Sequence, residues 1–231
     1  MHTTKTIGWM LVVGVILSLV GLANPAATAD WSNDSEVIKA LGGNVDLVAL
    51  TFIISAIGQI IMVMGYAGIR ESMTDGMWKT KMQIGVMLAL TAAVINVAWS
   101  GLMAGTGEAA ATAVTAATTA AQAAAAGNAA VAEAAAAGAG LASSVAAMLY
   151  SSAKAVSFAG NALLFVGVSL IGLGMMMGKA VNNIIALVVG VLGIVGIAIV
   201  LYDNNSQLLF IPFMGTFLMS LIIGVNNIRQ S

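Results

Sequence analysis

Of the 231 residues only 7% are charged, eight basic and nine acidic, where a soluble domain carries about a quarter, and 60% are apolar. These values exclude a water-soluble globule, and a net charge of −1 without a basic block excludes an electrostatic footprint for nucleic acid or polybasic docking to anionic lipid. Cysteine is absent and His2 is the one histidine, which removes disulfides, iron–sulfur clusters, structural zinc and almost every haem or copper site, so no cofactor is expected.

Apolar runs long enough, or nearly so, to cross a hydrocarbon core of about 30 Å fall at Ile7–Ala23, Val45–Ile69, Met82–Ala104, Val156–Met177, Val181–Leu201 and Leu208–Val225. The first run follows Lys5 and precedes Ala27-Thr28-Ala29, so a cleaved signal peptide over residues 1–29 is its alternative to a retained helix. In the loop after it, Asn33, Asp34 or Ser35 caps a short helix that runs through Ala40 and stops at Gly42-Gly43, with Trp31 as an interfacial anchor. The third and fourth runs flank a segment, residues 105–155, in which Ala109–Ala147 holds 23 alanines in 39 residues. Alanine is the strongest helix former and Gly127-Asn128 a natural break, so two helices are expected there, read as a hairpin outside the membrane in preference to two further spans. The fold class is thus an all-α integral membrane protein, one membrane domain over 1–231. It is a bundle of about six transmembrane helices, five if the N-terminal segment is removed, with an alanine-rich helical hairpin between the third and fourth spans.

Glycine is patterned more sharply than any reactive group. Gly174 and Gly178, Gly14 and Ser18, and Gly101 and Gly105 are spaced as small-xxx-small, and Gly190, Gly193 and Gly196 recur along one side of the fifth span; such rows let membrane helices approach closely. Spans two and four share an early phenylalanine (Phe52, Phe158) and a late glycine (Gly65, Gly172), a weak echo of a parallel repeat.

The spans contain no ionisable residue at depth, which disfavours a proton relay or ion-coupled pump. The polar residues that remain include Gln59, Thr91, Asn96, Ser157, Asn161 and Ser169, of a kind that commonly hydrogen-bonds between helices. Gln59, Asn96, Trp99 and Asn161 are the candidate lining of a small polar cavity, with Asn96 and Trp99 the pair to hold a substrate. The 15 methionines are better read as adaptable core filler than as a copper site, and the oxygen-rich Asp30–Glu36 loop lacks calcium-loop spacing. No Ser-His-Asp set, paired intramembrane carboxylates or phosphate loop is visible, so an enzyme is not expected. The function expected is a non-catalytic accessory or structural subunit of a larger membrane complex, packing through small-residue faces. Its partners would be membrane lipids, other membrane subunits or a second copy of the chain, and not nucleic acid. The alternative is a facilitator of a small neutral solute or lipid.

Six basic residues (Lys5, Arg70, Lys79, Lys81, Lys179, Arg229) fall on one side of the six spans and two (Lys39, Lys154) on the other, which predicts cytoplasmic N- and C-termini and an external alanine-rich segment, in a plasma or cytoplasmic membrane. Because cysteine is absent, Ser32→Cys, Asn128→Cys and Thr80→Cys report topology cleanly. An impermeant maleimide on intact cells should label the first two and spare the third; the opposite pattern reverses the orientation.

Overall fold

A computed structural model describes residues 4–230, of which none forms a strand; about 89% of the chain is helical. The helices are α1 (Thr4–Leu19), α2 (Asp34–Gly42), α3 (Val45–Ser72), α4 (Met77–Ala125), α5 (Ala129–Met177), α6 (Asn183–Tyr202) and α7 (Phe210–Arg229), with 3₁₀ turns at Val20–Ala23, Pro25–Thr28 and Gln207–Leu209. α3, α4, α5 and α6, together with α1 and α7 taken with their adjoining 3₁₀ turns (Thr4–Ala23 and Gln207–Arg229), are long and apolar enough to cross a membrane. These six pack in a closed ring, α1 on α3, then α4, α5, α6 and α7, which returns to α1. Large apolar side chains such as Ile57, Met87, Val94, Ile194 and Leu218 point outward from it, an inside-out surface suited to lipid.

Asparagine opens four of the helices. The side chains of Asn33, Asn44, Asn128 and Asn182 accept from the amides of Glu36, Leu47, Val131 and Ile184 at 2.9–3.3 Å, each satisfying one donor the first turn leaves free. Between α3 and α4, Lys79 donates to Asp75 at 2.9 Å and to the Met73 carbonyl at 3.0 Å, and this partner holds the Asp75 carboxyl below the usual carboxylate range.

The ring closes where glycines let backbones touch. A methyl on Gly85 would lie 2.7 Å from the Gly167 carbonyl and one on Gly167 2.7 Å from the Gly85 carbonyl, which marks the α4–α5 crossing. Gly8 and Gly224 make the same reciprocal contact between α1 and α7, at 2.6 and 2.9 Å. Gly14 and Ser18 on α1 meet Met62 and Gly58 on α3. Of the predicted packing glycines, Gly190, Gly193 and Gly196 lie against Gly172, Ser169 and Phe165 of α5, so that row is consumed inside the bundle. Gly174 faces Met82 at the start of α4, and Gly178 faces the side chain of Met73. Gly101 departs from its expected role: it meets nothing within 4 Å, and Gly105 touches only the Leu149 side chain, because both lie where α4 emerges from the ring. The repeat also fails at its marker residues, since Phe52 is buried and Phe158 is 45% exposed, while Gly65 packs on Leu11 of α1 and Gly172 on α6.

The alanine-rich segment is not a separate hairpin. It is the continuation of the third and fourth spans as two 49-residue helices without a break at either junction, each about 74 Å long and so more than twice the hydrocarbon thickness. Nothing at Gly105 or Ala155 stops an alanine helix once it has started. The tip is closed by two residues: the Asn128 and Gly127 amides donate to the Ala123 and Ala124 carbonyls at 2.9 and 3.0 Å, a Schellman ending that needs the positive φ of 76° that Gly127 supplies, and Asn128 then caps α5. Half-buried alanines recur at steps of three and four, Ala113, Ala116, Ala120 and Ala123 on α4 and Ala132, Ala135, Ala139 and Ala142 on α5. That period is a coiled-coil seam made of methyl groups. Thr112, Thr115, Thr118 and Thr119 turn their hydroxyls back onto carbonyls of their own helix at 2.8–3.0 Å. At the base, α2 lies against α4 through Gly42 on Ala110 and Gly107 on Leu41, and Asp34 pairs with Lys154 at 2.9 Å.

Gly193→Leu should disrupt the bundle, because its side chain would enter the Ser169 backbone, whereas Val191→Leu, at a position 48% exposed, should be tolerated. Thermal unfolding in one detergent should separate them by at least about 1–3 kcal/mol; equal stability would place the Gly193 face toward lipid.

Candidate functional site

Two adjoining cavities open at the hairpin end of the ring, of about 630 and 310 Å³, sharing walls formed by Trp31, Phe52, Trp99, Ser157, Phe210 and Phe213. Pockets of several hundred Å³ with a few convergent polar groups are where small molecules commonly bind. α1 and α7 touch at Gly8 and Gly224 near the opposite end, while Ser18 and Leu22 beyond α1's middle face Phe210, Met214 and Phe217 of α7 across the smaller cavity. The two helices therefore splay toward the hairpin end.

The four predicted residues Gln59, Asn96, Trp99 and Asn161 all line the smaller cavity. Asn96 Nδ2 donates to Gln59 Oε1 at 2.6 Å, joining α4 to α3. Asn161 Nδ2 donates to Ser157 Oγ at 3.2 Å and to Asn204 Oδ1 at 2.9 Å, which ties α5 to the loop before α7. Each amide group thus spends one end on the fold, and Gln59 Nε2, Asn96 Oδ1 and Asn161 Oδ1 hold no hydrogen bond among the described residues. Trp99 stacks edge-on against Phe52, centroids 4.8 Å apart. Of the other polar residues, Ser169 bonds the carbonyl of Phe165 in its own helix and Thr91 that of Met87, and neither reaches the cavity.

Trp31 is half-buried and forms cavity wall instead of serving only as an interfacial anchor. Asn24, Tyr150 and Asn204 belong to the lining as well. In sequence, Asn24 before Pro25 and Asn204 after Asp203 read as turn formers, and nothing local shows that they face a hollow. Asn24 anchors the 3₁₀ turns by donating to Thr51 Oγ1 at 2.9 Å and accepting from the Ala26 amide at 2.9 Å. The Tyr150 hydroxyl is buried without a hydrogen-bond partner. Lys154, the one charged side chain on the cavity walls among the described residues, is committed to Asp34 and lies 5.6 Å from the Tyr150 ring centre. At the rim, Ser32 donates through its hydroxyl at 2.7 Å and its amide at 2.9 Å to Asp30, which lowers that carboxyl below its ordinary range.

The floor is apolar. Phe165 and Phe213 meet edge-on at 4.9 Å, and with Met62, Leu164 and Phe217 they enclose a gap of only about 10 Å³, at the lower limit for one water. Nearer the opposite end, Tyr66 and Ser220 share a buried 2.7 Å hydrogen bond.

Asn96→Leu should destabilise the protein by about 1–3 kcal/mol, because it strands the Gln59 amide, while the double variant Gln59→Leu with Asn96→Leu should recover much of that loss. Thr91→Val, at an exposed site bonded only to its own helix, should change stability by less than about 0.5 kcal/mol. Thermal unfolding of wild type, Gln59→Leu, Asn96→Leu and the double variant in one detergent measures the coupling, and strict additivity would show that the two amides do not interact.

No protein-family model, curated protein or solved structure matches the chain, so cavity and hairpin are the grounds for a function.

Proposed function

We propose that this protein is a non-catalytic structural subunit of a larger membrane assembly, inserted with both termini cytoplasmic and the two-helix rod of α4 and α5 projecting outward as its docking element. One observation carries this reading. Leu141, Val145 and Met148 form an apolar stripe at steps of four and three on the outer face of α5, 70%, 40% and 70% exposed, on a rod that beyond its base packs, among the described residues, through its own alanine seam. Regularly spaced exposed leucine and methionine on a rigid helix suit a second helix laid alongside. The seam buries only methyl groups, so a companion helix would also add the apolar burial that the rod lacks. The Gly190–Gly196 row and the Gly14–Ser18 pair are taken up within the ring, and the stripe offers a partner subunit an apolar face outside it. A facilitator would need a route past the Phe165–Phe213 floor, and the gap there is closed to anything larger than water.

Mild-detergent extraction of the tagged protein should recover stoichiometric partner chains. Leu141→Glu with Met148→Glu should release them while leaving the helical content unchanged, since both positions face away from the seam. Ala116→Leu, in the seam, should instead open the rod itself. A wild-type protein that extracts as a lone monomer and is indifferent to the glutamates overturns the proposal.

A further inference from the structure

We infer that the paired cavities hold one molecule of a neutral, hydroxyl-bearing single-chain lipid, its head at the Gln59 and Asn161 amides and its chain leaving between α1 and α7. The polar groups decide the head. Gln59 Nε2 offers a donor and Asn96 Oδ1 and Asn161 Oδ1 offer acceptors, none of them bonded among the described residues, on the walls of the same hollow. A hydroxyl both donates and accepts and can use groups of both kinds, whereas a carboxylate can use only the donor and an ammonium only the acceptors. Charge points the same way, because Lys154 is already neutralised by Asp34 and an ionised head would be buried there without a counter-charge.

The walls decide the rest. Toward the hairpin end the walls common to both cavities include Trp31, Phe52, Trp99 and Phe210, apolar surface fit for a hydrocarbon chain. The combined space is that of a drug-sized ligand, enough for one chain and a compact head. The splay of α1 from α7 leaves a side opening flanked by Leu22 and Phe210, exposed at 52% and 56%, through which the chain can rejoin the bilayer. This inference does not depend on the docking function of the rod.

Trp31 and Trp99 report occupancy directly. In a Trp9→Phe, Trp78→Phe background they are the remaining tryptophans, since the chain has four. The probe is a monoacylglycerol dibrominated in its acyl chain, titrated into protein in micelles of constant composition. Fluorescence quenching should saturate near one probe per protein. Gln59→Leu should weaken binding about tenfold or more, and Ser157→Phe, which fills the space shared by both cavities, should abolish saturation. Dibrominated stearate should bind at least about tenfold more weakly than the monoacylglycerol, given the cost of burying its charge. Quenching that rises with probe mole fraction without saturating, alike in wild type and Ser157→Phe, overturns the site. Stearate binding as tightly as the monoacylglycerol overturns the hydroxyl head. Should Gln59→Leu fail to fold, the Ser157→Phe and stearate comparisons still decide the question.

Discussion

Helices in hydrocarbon gain nothing by hiding leucine from leucine, so what holds such a bundle is close packing of backbones where side chains are small. In this chain that condition is met at four of the six joints of the ring: Gly8 with Gly224, Gly14 with Met62, Gly85 with Gly167, and Gly172 with Gly190. Each contact excludes a side chain, and large apolar residues away from the joints are turned outward. The ring is therefore closed by the residues that contribute least surface. Polar groups within it either bond their own helix carbonyl, as Ser169 and Thr216 do, or pair across helices, as Tyr66 does with Ser220.

The same contacts create the cavity. Glycine pinches α1 against α7 at Gly8 and Gly224, and nothing repeats that pinch toward the hairpin end, where Leu22 and Phe210 are exposed on either side. The space between is bridged by aromatic rings and by the 3₁₀ turns that Asn24 anchors to Thr51. Amides at the edge of that space hold it open, because the Asn96–Gln59 and Asn161–Asn204 bonds tie helices and loop together while leaving part of each group free. The apolar floor below gives the hollow one end.

The rod of α4 and α5 follows a different rule. Its helices approach because the seam is alanine, but methyl groups return little burial, so the rod depends on helix propensity, on its Gly127-Asn128 tip and on the clasp at its base formed by α2 and the Asp34–Lys154 pair. An ion pair at an exposed site adds little stability, at most about 1 kcal/mol, so the clasp owes more to Gly107 and Gly42, which seat α2 directly on α4.

What the sequence by itself determined is local. Runs of apolar residues mark the helices long enough to cross a membrane, a cap falls at Asn33, Asp34 or Ser35 because such side chains accept from first-turn amides, and Gly127-Asn128 breaks the alanine-rich segment because glycine's backbone tolerates positive φ. The polar set Gln59, Asn96, Trp99 and Asn161 was also legible, since polar side chains in apolar runs stand out without any knowledge of their neighbours. Only the tertiary structure decided the rest. A glycine row does not say which helix it meets, and so Gly101 and Gly105, spaced like the true contacts, face open space or a lone leucine side chain. Alanine stabilises a helix alike in a span and beyond it, so composition could not show that the spans and the hairpin are single rods. Asn24, Tyr150 and Asn204 became cavity wall only when helices far apart in sequence were brought together, because a hollow is a property of the distances between elements and of none of them alone.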